Sequence, residues 1–154
     1  MHGVRRLRLL FVIAVVGGAL AAPATASARR SLELVGGTGF AAIANRGAVI
    51  GRVGAGRVVV IHKSGYAAPS GYVRGCNLGR RGSFRTKLVC RGDRTISFYV
   101  HGGRWRVKMR GRAINVSGVV SGALTLRDGE AGTYWVSGMS RRRAWPEYRH
   151  IRIG

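Results

Sequence analysis

Polar and apolar residues alternate most regularly between Ile96 and Arg110. Ile96, Phe98 and Val100 precede Gly102-Gly103, and Trp105, Val107 and Met109 follow it. Side chains of a strand point to opposite faces with a period of two. A glycine pair suits a two-residue turn, whose positions need φ > 0. The spacing therefore predicts a hairpin that sets His101 against Arg104, Tyr99 against Arg106 and Ser97 against Lys108. The six apolar side chains then share one face, and Arg104, Arg106, Lys108 and Arg110 share the other. A slip of one residue would mix the two sets, so the register is well specified.

The same pattern recurs earlier in the chain. A shift of 66 residues lays Ser31–Val60 over Ser97–Leu126 without a gap, and Gly36-Gly37 falls on Gly102-Gly103. Arg46 meets Arg112, Val53 meets Val119 and Gly56 meets Gly122, while Leu32/Phe98, Leu34/Val100, Ile43/Met109 and Val58/Leu124 keep the apolar positions. Beyond that block Tyr72-Val73-Arg74-Gly75 echoes Trp135-Val136-Ser137-Gly138 at a slightly different spacing. The arrangement predicts two duplicated units, 31–76 and 97–139, joined by a loop over 77–96 and followed by a basic loop and strand over 140–154. Strands are expected near 31–35, 39–45, 47–53, 56–63 and 71–75, with counterparts near 95–101, 104–110, 112–120, 122–128 and 133–138. A last strand is expected over Tyr148–Ile153. Outside the first residues no window carries a 3.6-residue apolar period. Short strands bounded by glycine indicate an all-β, antiparallel sandwich or small barrel. The alternative is a β-helix, which phrases such as Gly122-Ala123-Leu124-Thr125-Leu126 also suit.

The first 28 residues read differently. Arg5, Arg6 and Arg8 precede an apolar run from Leu9 to Leu20, and Ala26-Ser27-Ala28 fits a signal-peptidase site. The run is shorter than the roughly 20 residues that span a bilayer. Cleavage after Ala28 is expected, by the general secretory route, leaving one domain over 29–154 with no transmembrane segment. An outer-membrane barrel is set aside because most strands are too short. In an exported chain the two cysteines, Cys76 and Cys90, are expected to form a disulfide. Closing a loop of about 15 residues is worth about 3 kcal/mol. The segment between them is expected to be a mobile loop that the bridge pins.

Charge narrows the function. The chain has 27 Lys and Arg against 5 Asp and Glu, a formal net charge of +22. A GC-rich genome favours arginine codons, so part of this charge follows from composition. The acids Glu33, Asp93, Asp128, Glu130 and Glu147 are scattered, apart from Asp128 and Glu130 in one turn. His62, His101 and His150 share no metal-ligand spacing, and no nucleophile elbow or phosphate loop is present. No catalytic residue, metal or cofactor is expected. Arginine forks, by contrast, match phosphate and carboxylate groups. Arg104, Arg106, Lys108 and Arg110, interleaved with Tyr99 and His101 across the hairpin, form the expected polyanion-binding face. Arg141, Arg142 and Arg143 add a second basic cluster. No motif for sequence-specific nucleic-acid reading is present.

The signal, the GGRWRVKMRGRAINVSGVVSGALTL stretch and the Cys pair together resemble small secreted β-rich proteins of GC-rich actinobacteria. That resemblance implies a β fold and no catalytic residue. Three functions remain open at this point. One is a secreted or wall-associated module binding anionic envelope or extracellular polymers. Another is a structural or interaction protein of the envelope whose charge is incidental. The third is a small secreted enzyme or an inhibitor of one.

Overall fold

The structure is a computed structural model that describes residues 28–154; the expected signal peptide lies, save for Ala28, outside the described residues. The described chain is all-β and contains no helix. Nine strands form one antiparallel sheet: β1 (Arg30–Val53), β2 (Ala55–His62), β3 (Ser70–Arg74), β4 (Arg80–Ser83), β5 (Leu88–Gly92), β6 (Ile96–His101), β7 (Trp105–Val136), β8 (Arg143–Ala144) and β9 (Tyr148–Ile153). Every strand pair is antiparallel, which removes the β-helix alternative.

Two of these strands are long and bent, and their bends explain the fold. β1 contains arms at 30–35, 39–45 and 47–53, and β7 contains arms at 105–111, 113–120, 122–128 and 130–136, as the partners show. Arm 47–53 pairs with β6 on one side and with 115–120 on the other. Arm 39–45 pairs with 105–111 and with 122–127. The ladders thus sort into two sets joined through the bends. One runs β4, β3, β6, 47–53, 113–120, 30–35, 130–136, β8; the other runs β5, β2, 105–111, 39–45, 122–128, β9. The inward residues of both sets meet in a single core cluster, among them Leu32, Phe98 and Val116 from the first and Ile43, Val58, Trp105 and Leu124 from the second.

Backbone conformation marks the bends. Gly56 and Gly122 both take positive φ, 145° and 133°. A Cβ at Gly56 would strike the Arg110 carbonyl oxygen, and one at Gly122 the Ala44 carbonyl oxygen. Only glycine lets the strands approach so closely at that dihedral.

The expected alternation holds: Ile96, Phe98, Val100, Trp105, Val107 and Met109 are all buried. The hairpin does not form. β6 pairs with 48–53 and with β3, whereas 105–111 pairs with 39–45 and with β2. Gly102-Gly103, both at positive φ, turn a corner from one ladder set into the other. The Arg104 amide there donates to the Ala67 carbonyl, at 3.3 Å, instead of closing a two-residue turn. Alternation specifies which face a residue takes, not which strand lies beside it.

The 77–96 connection is also more ordered than a pinned loop. It holds β4, which extends the first set beside β3, and β5, which extends the second beside β2. Phe84 plugs the core between them with no exposure. The disulfide joins Cys76 to Cys90 with Cα atoms 5.7 Å apart.

Part of the pairing follows the 66-residue correspondence of the sequence. Gly56↔Gly111 becomes Asn45↔Gly122 under the 66-residue shift, and Val58↔Met109 becomes Ile43↔Leu124. Val73↔Phe98 corresponds to Leu32↔Val136, and Val58↔Cys90 to Leu124↔Ile151. Even the edge contacts match: the Phe84 amide donates to Pro69 O at 2.8 Å, and the Trp145 amide to Gly132 O at 2.9 Å.

Candidate polyanion-binding face

The second ladder set positions the basic side chains. Register places Arg91 beside Arg57, Arg57 beside Arg110, Arg110 beside Phe40, Phe40 beside Arg127 and Arg127 beside Tyr148. One lateral row therefore crosses six segments of five strands with four arginines in it. Neighbouring strands lie about 4.8 Å apart, so the row from Arg91 to Arg127 is about 19 Å long. A second row runs Val89, Val59, Lys108, Ala42, Thr125, His150, and a third includes Ile61, Arg106, Ala44, Ala123 and Arg152. In the second and third rows the middle positions are Ala42, Thr125, Ala44 and Ala123, so nothing bulky stands there.

Charge compensation on this face is sparse. Arg110 meets Asp128 at 2.7 Å, with both side chains more than half exposed. Among the described residues the other ion pair joins Arg142 to Glu33, in the first ladder set. Like charges directly opposite one another in a sheet are destabilising, and Arg57 against Arg110 is such a pair. Phe40 relieves part of this: the Arg127 guanidinium lies 4.7 Å from its ring centre and that of Arg110 lies 5.6 Å away. Guanidinium over an aromatic face is attractive by about 0.5–1 kcal/mol at exposed sites.

The structure divides the residues expected to bind polyanion. Arg106, Lys108 and Arg110 stand on the row system just described. Arg104 lies at its margin, half-buried, with its guanidinium 3.9 Å from the Tyr66 ring centre. Tyr99 and His101 are not interleaved with the arginines, because β6 belongs to the first ladder set. They stack at 4.9 Å, and Tyr72 lies 6.2 Å from Tyr99. Both still line a corner hollow of about 630 Å3 together with Arg46 and Arg104. Arg141, Arg142 and Arg143 are exposed at the β8 edge of the first set, where Arg142 is tied to Glu33.

Sequence reasoning missed Arg57, Arg91, Arg127 and Phe40. Arg57, Arg91 and Phe40 lie on other strands and Arg127 on another arm of β7, and only the ladder brings them alongside Lys108. A signal existed in Arg57, which the 66-residue shift places at Ala123, so that this charge too belongs to one half alone.

The opposite face has another character. Register lines up Tyr72, Tyr99, Ile50, Ser117, Glu33 and Trp135, and Ile50, Val119 and Val35 are exposed at 51%, 48% and 46%.

Among the described residues no group of three or more His, Cys, Asp or Glu side chains could hold a metal ion. No helix among them is long and apolar enough to cross a membrane. Compared with protein-family models, curated proteins and solved structures, the chain matches none.

Proposed function

We propose that this protein is an exported, non-catalytic β-domain that binds anionic polymers of the cell envelope or its surroundings. The polymer lies on the outer face of the second ladder set. The observation that carries this reading is the lateral row of Arg91, Arg57, Arg110 and Arg127, flanked by Lys108 and Arg106, with Asp128 as the one acid in an ion pair there among the described residues. A sheet that holds like charges side by side gives up stability for them. A polyanion recovers it by displacing small counterions, which makes such binding steeply salt-dependent. The backbone of the ligand is read as charge, without base or sugar selectivity. The disulfide fits an oxidising compartment, in keeping with the export expected from residues 1–28.

Lysine footprinting tests where the polymer sits. The chain has three lysines, Lys63, Lys87 and Lys108, and Lys108 lies at the centre of the face. Bound polyphosphate should protect Lys108 from amine acetylation most strongly. Protection of Lys63 alone, or of no lysine, would refute the placement.

A second reading has its own observation. The exposed Ile50, Val119 and Val35 on the opposite face suit packing against another envelope protein. Sedimentation across a range of concentrations, with and without Ile50→Ser, tests whether that face associates.

A further inference from the structure

The cationic face is not flat throughout. Between β2 and the 105–111 arm of β7 a cavity of about 180 Å3 opens, lined by Val59, Phe40, Arg57, Lys87, Lys108 and Arg110. Its floor is apolar in an unusual way. Val58 and Val60 point into the core, so Val59 points outward, yet it is only 4% exposed and stands outside the core cluster. The cations at its rim are largely uncommitted: Arg110 is held by Asp128, while Arg57, Lys87 and Lys108 take part in no ion pair among the described residues. The Arg57 Nε is shielded from solvent and has no hydrogen-bond partner among the described residues. A buried donor left unmatched is costly, and a turn of the Arg57 side chain toward the cavity mouth would let an oxygen of a bound anion satisfy it.

Size restricts what enters. Cavities of about 150 Å3 hold one benzene ring, so the size of this one suits a single ring. We infer that the cavity binds a small oxyanion carried on one flat ring, such as an aryl phosphate. The ring lies against Phe40 and Val59, and the oxygens meet Arg57, Lys87 and Lys108. This rests on the reading of the surrounding face as anion-binding, and it adds selectivity for one end group to a surface that otherwise reads charge.

Calorimetric titration with phenyl phosphate and with inorganic phosphate tests it, alongside retention on immobilised polyphosphate. Phenyl phosphate should bind about tenfold tighter or more, because the ring face leaves water. Val59→Phe, which fills the cavity, should abolish that preference. Arg57→Lys, which keeps the charge but loses the fork, should weaken phenyl phosphate several-fold and provides a folded control. Equal affinity for the two phosphates on a protein that still retains polyphosphate overturns the cavity and leaves the face standing. A preference for phenyl phosphate that survives Val59→Phe also overturns it. Tight phenyl phosphate binding without polyphosphate retention supports the cavity and overturns the polymer reading instead.

Discussion

Arg57 stands directly opposite Arg110 in the ladder between β2 and β7. Two guanidinium groups in register, on a face with little compensating acid, are a local cost to the fold. Arg57→Glu should turn the repulsive pair into an attractive one and raise stability by about 0.5–1 kcal/mol. The same change should weaken retention on polyanions. Urea midpoints and retention measured on the same variant check this. Loss of stability together with unchanged retention would show that Arg57 serves packing alone.

Gly56 and Gly122 occupy equivalent bends with positive φ, each hard against a carbonyl oxygen of the neighbouring arm. Alanine at either site meets both the dihedral penalty and the steric contact. Each substitution should cost about 2 kcal/mol or more, and the two costs should be similar. Thermal or urea unfolding of the two single variants measures them.

The corresponding pairs in the register set Met139 where Cys76 stands, three residues past Val136 and Val73 respectively, and Ile151 where Cys90 stands. Both Met139 and Ile151 are partly buried against the core, as Cys76 is. Met139→Cys with Ile151→Cys should therefore form a second disulfide in oxidised protein. Its expected worth is about 2–4 kcal/mol. Mass spectrometry after alkylation of the unreduced protein decides the matter; two alkylated thiols would show that the halves diverge at this point and would count against duplication of the unit.

Trp145 fills the place that Phe84 fills in the other half, and both are buried. Its indole Nε1 is shielded and finds no hydrogen-bond partner among the described residues. Trp145→Phe should thus cost less than about 1.5 kcal/mol, since it loses volume but also removes an unmatched donor. Trp145→Ala should cost about 3–5 kcal/mol. Comparable losses for the two variants would mean that the indole nitrogen contributes a bond after all.

How much of this was legible in the sequence follows from what alternation encodes. The buried sets in β6 and in 105–111 were readable because a period of two assigns faces directly, and the strands near 39–45, 47–53 and 122–128 were readable for the same reason. Pairing was not. Gly102-Gly103 looks the same whether it closes a hairpin or turns a corner between ladder sets, and the choice depends on Asn45 and His62 lying beside Trp105. β4 went unseen because its four residues are all exposed and include Gly82. β5 was hidden within a segment dominated by arginine and glycine. At the candidate site, Arg106, Lys108 and Arg110 were visible because they share a strand. Arg57, Arg91 and Arg127 were not, since a lateral row exists only once six segments of five strands are in register.

The central claim is that one face, and not net charge, binds polyanions. A matched pair of triple variants separates the two most directly. Arg106→Glu, Lys108→Glu and Arg110→Glu remove positive charge from the proposed face; Arg52→Glu, Arg74→Glu and Arg81→Glu remove the same charge from exposed positions elsewhere. Salt concentration for elution from phosphocellulose should fall sharply for the first triple and little for the second. Equal falls for both would contradict the account.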